Sequence, residues 1–330
     1  MSKKNLFRSS SFAKVADAHP IRFFDIGARG GFDADLWPLA FATDAVGFEP
    51  DPEAFAALAK RLDSDWKSAR MLPVAVGGSN AARTLYIPSD PQAASLLGPT
   101  ERKGAARFRT QFFEPVKTLQ VETVTLDEVL LRFDVAQPDY LKIDIEGAEL
   151  EVLKNAPKTL DGLLALKIEV AFDTFRDGQP LASDVMSFLH EAGFVLMDFI
   201  RPSYWRSHSQ IVHPLMDRSP FYYSRGQLAH GDLVYLRRQE NLTAAQPSAA
   251  KRKIKLGLIA MGLGFFDFAA DIFNDTEVKR LAGQVSSADL SQELLSCAKT
   301  FGRYEAKKAL TNKLRSFGPH MRRILDIILR

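Results

Sequence analysis

The chain has 330 residues, 46% hydrophobic and 25% charged, with 43 Lys+Arg against 40 Asp+Glu and a single cysteine. A globular chain of this size buries a core without staples. The lone Cys297 excludes an intrachain disulfide and a cysteine metal cage. The charge is uneven: from Asn241 to Arg330 there are 15 Lys+Arg and 8 Asp+Glu, so the rest of the chain is net acidic and does not read as a nucleic-acid binder.

The first twenty residues are polar and basic and lack the apolar core of a secretion signal. No apolar run is long enough to cross a bilayer. With one cysteine, the expected compartment is the cytoplasm. From there to about Gln239, short apolar runs alternate with helical patterns. Strands are predicted at Ile21–Ile26, Ala45–Glu49, Ala69–Val76, Tyr140–Ile145, Leu164–Val170, Phe194–Ile200 and Asp232–Arg237. Most are nearly continuously apolar, as central strands covered on both faces are. Helices are predicted at Pro52–Leu62, with Pro52 at its start, and at Leu181–Ala192, stopped by Gly193. The alternation argues for an α/β layer around a mostly parallel sheet. Two irregular stretches, Pro88–Pro115 and Ile200–Gly231, are long enough to be read as walls of a substrate site.

The strongest local signal is Phe23-Phe24-Asp25-Ile26-Gly27-Ala28-Arg29-Gly30-Gly31-Phe32, a buried strand, an acid and a glycine-rich turn. Glycine lets a ligand approach the backbone closely and tolerates positive φ. In open α/β sheets ligands bind at the carboxyl ends of the strands. The next strand ends in Glu49-Pro50-Asp51-Pro52, where a carboxylate can accept both ribose hydroxyls of an adenosine. A dinucleotide site expects G-x-G-x-x-G. Here Arg29 takes the middle glycine position, and Asp25 lies inside the strand where an apolar residue is usual. S-adenosylmethionine (SAM) has no pyrophosphate to hold, and Asp25 is placed to serve its ammonium. A nicotinamide-dependent oxidoreductase is therefore disfavoured.

These residues, with Val46–Pro52, Val124–Leu130 and above all Asp139-Tyr140-Leu141-Lys142-Ile143-Asp144-Ile145-Glu146-Gly147-Ala148-Glu149-Leu150-Glu151-Val152-Leu153, resemble the FkbM-type family of SAM-dependent methyltransferases. Ile168-Glu169-Val170 and Gly178-Gln179-Pro180 resemble it too, so the likeness covers roughly Ile21 to Arg238. The family ordinarily carries a small polar residue where this chain has Arg29. The resemblance implies an α/β, Rossmann-like seven-stranded methyltransferase sheet with its last strand antiparallel. It also implies SAM as methyl donor and O-methylation of a sugar, glycan or natural-product hydroxyl. The cofactor site is expected at Asp25, Gly27, Ala28, Gly31, Glu49, Pro50, Asp51 and Asp144. The alternative of another class is an inactive SAM-binding module that recruits a partner such as a glycosyltransferase; Asp144 and Glu146 argue against it, since a scaffold needs neither.

Lys142, Asp144 and Glu146 alternate and are expected on one face of their strand. The bland reading is a Lys142–Asp144 ion pair with Glu146 capping the next helix. The functional one makes Asp144 or Glu146 the general base, with Glu169 completing a carboxylate cluster. Such a cluster could hold Mg²⁺, a reading not favoured, and no metal ligand is assigned. His208, His213 and His230 are lesser candidates for the base.

Asn241–Ala250 reads as a linker between a domain at 15–240 and a helical C-terminal extension at 251–330. In the extension, Lys251-Arg252-Lys253-Ile254-Lys255 precedes an apolar run, Leu256–Phe266. A basic flank beside an apolar face could rest on the inner face of a membrane. A buried helix in a small subdomain or a homo-oligomer interface is the preferred expectation.

Overall fold

A computed structural model describes residues 2–62, 66–101, 106, 109–207, 225–242 and 248–328, with side chains to 314 in the last helix. In chain order the elements are helix α1 (Phe12–Ala18), strands β1 (Ile21–Ile26) and β2 (Thr43–Phe48), helix α2 (Pro52–Ala59), and strands β3 (Ser68–Leu72), β4 (Ala75–Val76) and β5 (Ala81–Pro88). Helix α3 (Thr110–Phe113), strand β6 (Pro115–Val124), helix α4 (Leu126–Arg132), strand β7 (Tyr140–Ile143), helices α5 (Glu149–Lys154) and α6 (Pro157–Gly162), and strand β8 (Ala165–Ala171) follow. Helix α7 (Ala182–Glu191), strands β9 (Phe194–Trp205) and β10 (Gln227–Arg237), and helices α8 (Ala249–Leu263), α9 (Phe266–Asn274), α10 (Thr276–Gly283) and α11 (Leu290–Ile328) complete the described chain.

Seven strands form one sheet in the order β3-β2-β1-β7-β8-β10-β9. The first five lie parallel, and β10 runs antiparallel to both β8 and β9. This is the α/β sheet expected from the sequence, closed by an antiparallel last strand. The chain order reverses between β1 and β7, which opens a cleft at their carboxyl ends. Alternate side chains supply the two faces of the core. Phe24, Ile26, Leu141, Ile143, Leu166 and Ile168 join the cluster under α4, α5 and α7. Phe23, Tyr140 and Ala165 point the other way, into a cluster with α1, the Leu36–Ala42 segment and the C-terminal helices.

The structure corrects several predicted boundaries. The third predicted strand divides: β3 ends at Leu72, and β4 belongs to a separate three-stranded sheet of order β4-β6-β5. That sheet was not read from the sequence, because β6 is largely exposed and β5 is buried only toward its end. β7 stops at Ile143, two residues early, because the chain turns through Glu146 at φ +63°. β9 and β10 extend well into the stretch taken as irregular. His208 and His213 lie outside the described residues.

The C-terminal helices pack on the sheet's second face. Leu256 to Met261 of α8 are buried in one cluster with Phe23 and Tyr140. The cations ahead of them are tied down: Lys255 Nζ lies 2.7 Å from Asp139, Lys253 Nζ 2.7 Å from Asp275, and Arg252 donates to the Asp161 carbonyl at 3.0 Å. The apolar run is thus largely interior, and the basic residues tie α8 to three places: Lys255 to the start of β7, Lys253 to the Asp275 cap of α10 and Arg252 to α6. This removes the surface that the membrane-contact reading required. Among the described residues no helix is long and apolar enough to cross a membrane. Leu258→Ala, which empties a fully buried site, is expected to cost about 2–5 kcal/mol, read as a lower urea midpoint at unchanged slope. A loss under 0.5 kcal/mol would show that α8 contributes nothing to the core.

Candidate active site

The turn after β1 is set by one close approach. Gly27 has φ +84°, and a Cβ there would lie 1.9 Å from the Asp144 carbonyl oxygen. The ends of β1 and β7 therefore meet only across glycine. The Ala28 amide donates to Phe48 O at 3.2 Å, and the Gly31 amide, at φ +97°, donates back to Ala28 O at 2.8 Å. Over this turn lies a cavity of about 460 Å³. Its walls include Asp25, Gly27, Gly31, Glu49, Pro50 and Asp144, six of the predicted cofactor residues. Ala28 and Asp51 do not line it. Ala28 is the buried hinge of the turn, and Asp51 caps α2 by accepting from the Glu53 amide at 3.0 Å.

At the floor, Asp25 is fully buried. Its Oδ2 accepts from the Asp33 amide at 2.7 Å, and Lys142 Nζ stands 3.3 Å from Oδ1 and 3.4 Å from Asp144. The bland Lys142–Asp144 pairing therefore exists, shared with Asp25. Burial pushes the Asp25 carboxyl up to about 6 although Lys142 opposes it. Burial would lower the Lys142 ammonium, but Asp25 and Asp144 outweigh it and hold its pKa raised. Behind them Lys167, 2% exposed, bridges Asp33 and Asp35 at 2.7 Å each, and Tyr140 donates to Asp35 at 2.6 Å. This network anchors the loop after the glycine turn.

At the other end Glu49, 3% exposed, accepts from the Asp51 amide through Oε1 at 2.9 Å. Burial raises its pKa. Arg29 reaches Asp51 at 2.7 Å and Glu49 at 3.9 Å. The residue by which this chain departs from the usual turn therefore clamps the two acids after β2.

Asp144 links this cavity to the catalytic candidates. One carboxylate oxygen from each of Asp144, Glu146 and Glu169 lies within 4.8 Å of the others. Strand alternation does not bring Glu146 there, since β7 has ended; its left-handed backbone does, a conformation costing roughly 1–2 kcal/mol in a non-glycine residue. Arg176 at 2.9 Å and the Ser95 hydroxyl on the Glu146 carbonyl at 2.8 Å hold it. Burial pushes Glu146 up to about 7 although Arg176 pulls it down. The predicted helix-capping role is not filled, since α5 begins without a side-chain cap; Glu149 instead braces the turn before it, accepting from the amides of Ile145 at 2.9 Å and Gly147 at 3.0 Å. Glu169 lies 2.8 Å from His230 Nδ1. Glu146, Glu169 and His230 line a second cavity of about 90 Å³ with Phe112, Phe175, Trp205 and others. Both stretches read as walls contribute: Pro91, Gln92, Ala94 and Leu96 to the larger cavity, Phe112 and Phe113 to the smaller, and Arg201, Trp205 and His230 from the second stretch. Arg176 escaped the sequence reading; its only signal is its place two residues before Gly178-Gln179-Pro180.

The residues fit the cofactor that the sequence implied. Asp25 Oδ1 is a buried carboxylate oxygen that Lys142 Nζ approaches to 3.3 Å without a well-aligned hydrogen bond, which leaves it suited to an ammonium, and Glu49 has a second oxygen for a ribose. Mg²⁺ fits less well. Each carboxylate of the cluster already has a basic partner, Lys142 for Asp144, Arg176 for Glu146 and His230 for Glu169.

A sheet in this order, a glycine turn after β1, an acid after β2 and an acid cluster after β7 define an α/β methyltransferase domain. The sequence profile of the methyltransferase FkbM domain matches residues 25–196, more than half of the chain. The chain belongs to the FkbM family of SAM-dependent methyltransferases. Over 147 residues it is 24% identical to the hexuronic acid methyltransferase AglP of Haloferax volcanii, covering 44% of this chain and 54% of that protein. It thus spans about half the length of that curated relative. Among solved structures it is similar to the methyltransferase FkbM of Methylobacillus flagellatus KT (14% identity, TM-score 0.34, covering 66% of this chain and 44% of that one). It is also similar to the magnesium protoporphyrin IX methyltransferase ChlM of Synechocystis PCC 6803, solved with bound SAM (11% identity, TM-score 0.33, covering 69% and 76%).

Proposed function

We propose that this chain transfers a methyl group from SAM to a hydroxyl of a sugar or glycan. The observation that carries the reading is the cluster of Asp144, Glu146 and Glu169, in which Asp144 lines the larger cavity while Glu146 and Glu169 line the smaller one. Asp25 would hold the ammonium of SAM and Glu49 its ribose; when bound, the cofactor supplies an electrophilic methyl group on sulfur. The chain's own task is then alignment of an acceptor oxygen, which contributes up to about 7–11 kcal/mol, and removal of the hydroxyl proton, worth about 10²–10⁴-fold. The cluster accepts hydrogen bonds from neighbouring hydroxyls, as a polyol acceptor needs. Phe112, Phe175 and Trp205 give an apolar wall that excludes water. The similarity to a hexuronic acid methyltransferase supports a sugar acceptor. A strained Glu146 held by a buried Arg176 favours catalysis over a scaffold, for which such strain has no use.

The test is release of S-adenosylhomocysteine from SAM across hexuronic acids, neutral monosaccharide glycosides and non-sugar alcohols. Turnover is expected with a sugar and lost on Asp144→Asn. Turnover only with non-sugar alcohols would overturn the acceptor class, and none with any acceptor the activity. EDTA is expected to leave the rate within twofold. A tenfold loss restored by Mg²⁺ would give the carboxylates a metal to hold.

A further inference from the structure

The methyl-transfer reading leaves open which group takes the hydroxyl proton. Two of the three carboxylates are held by permanent cations: Asp144 lies 3.4 Å from Lys142, and Glu146 lies 2.9 Å from Arg176. Glu169 differs. Its basic partner is a histidine, His230 Nδ1 at 2.8 Å. The two stand on adjacent strands: Glu169 on β8 pairs in register with Asp232 on β10, two residues beyond His230. His230 lines the smaller cavity, and its ring meets the edge of Trp205 at 5.5 Å between centroids. Trp205 is itself fixed by Phe175 at 4.8 Å and by stacking on Phe112 at 6.2 Å. Nδ1 is engaged by the carboxylate, and Nε2 has no hydrogen-bond partner among the described residues.

We propose that His230 Nε2 is the general base of the transfer and that Glu169 is the positioning residue that fixes the ring and its tautomer. A base oriented by a carboxylate on its other nitrogen is the arrangement that proton abstraction from a hydroxyl needs. The O–H bond breaks and its proton goes to Nε2. An oxygen lone pair forms the new O–C bond, and the C–S bonding pair stays on sulfur. The products are a methyl ether, a thioether and an imidazolium facing the Glu169 carboxylate. Asp144 and Glu146 then serve as acceptors for neighbouring hydroxyls. The charged groups around the pair are Asp144 and Glu146 from the turn after β7, Glu149 from α5, Asp232 on β10 and Arg176 from the loop after β8. Burial pushes Glu169 well up, reinforced by Asp144, Glu146 and the other acids, and pushes His230 down. The pair therefore binds one proton between its members, and the working form is the one that has lost it. The rate accordingly rises with pH through a single limb.

This inference rests on the methyl-transfer reading, and its test separates the two. In the full chain, ring nitrogen NMR of His230 above the limb is expected to show the proton on Nδ1 and none on Nε2, with Glu169→Gln weakening that preference. A wild-type ring protonated on Nε2 overturns the proposal. With a sugar acceptor, His230→Asn is expected to lower kcat by about 10²–10⁴-fold while the Kd for SAM stays within threefold. Glu169→Gln is expected to move the limb to lower pH by at least one unit, because the charge favouring the imidazolium is gone. A merely structural Glu169 would leave the limb in place. Retention of kcat within threefold in His230→Asn, or a limb abolished by Glu146→Gln and untouched in His230→Asn, overturns the proposal. A wild type that binds no SAM overturns the methyl-transfer reading, and with it the catalytic claim, while the tautomer measurement still decides the Glu169–His230 pairing.

Discussion

Glu49→Ala is expected to weaken SAM binding by roughly 10²–10⁴-fold. Two hydrogen bonds from a ribose to a carboxylate contribute about 1.5–3 kcal/mol each, and a factor of ten corresponds to about 1.4 kcal/mol. The carboxylate is desolvated before the ligand arrives, being 3% exposed and already engaged by the Asp51 amide. Glu49→Gln separates ligand loss from local damage: it keeps an oxygen for the Asp51 amide and loses the charge, so it should fall between wild type and alanine. Burial raises the Glu49 pKa. Affinity should therefore decline as the pH is lowered through that raised value, since the protonated acid is a poorer acceptor, and the decline should vanish in Glu49→Gln. Calorimetry with SAM, and with NADH as control, decides it. Unchanged SAM affinity in Glu49→Ala would remove Glu49 from the site, and tight NADH binding would overturn the choice of cofactor.

Gly27→Ala is expected to destabilise the fold by about 3 kcal/mol or more, far beyond its neighbours. Two penalties combine there. A left-handed backbone costs a non-glycine residue about 1–2 kcal/mol, and the added Cβ would stand 1.9 Å from the Asp144 carbonyl oxygen. That oxygen is backbone at the end of a central strand, so nothing flexible can yield. Gly31 shares the positive φ but has nothing within 4 Å of its would-be Cβ, so Gly31→Ala should cost only the conformational part. Gly30 has neither constraint, and Gly30→Ala should be neutral within about 0.5 kcal/mol. Urea unfolding of the three variants gives the order. Equal losses would show that the turn needs glycine for a reason other than the β1–β7 approach. The same substitution spreads the floor of the cofactor cavity, so SAM binding should fail in Gly27→Ala even where the protein remains folded.

These two sites mark where local sequence sufficed. A continuous apolar run such as Phe23-Phe24, closed by Asp25 and a glycine turn, carries its structural meaning within ten residues, because strand burial, glycine freedom and the strand-end acid are local properties. The same holds for Glu49 after the second strand. For this reason the α/β class was legible without coordinates, and six of the eight residues expected to hold the cofactor line one cavity at the strand ends. Arg29 shows the limit: the turn read correctly, but its partners Asp51 and Glu49 emerged only with the register of β1 against β2. Glu146, expected on one face of the strand with Lys142 and Asp144, sits instead on a left-handed turn that no alternation pattern encodes.

The sequence alone determined the strands of the seven-stranded sheet, the glycine turn and the acids at the strand ends, since each depends on neighbours within a turn or a strand length; the β4-β6-β5 sheet it did not. Tertiary structure alone decided which charges distant in the chain meet. The Glu169–His230 pair joins residues 61 apart because β10 inserts antiparallel between β8 and β9, and Lys255 meets Asp139 across 116 residues because α8 folds back beneath the sheet. Long-range electrostatic pairing depends on sheet order and helix docking, and those follow from burying the whole apolar surface at once rather than from any single segment.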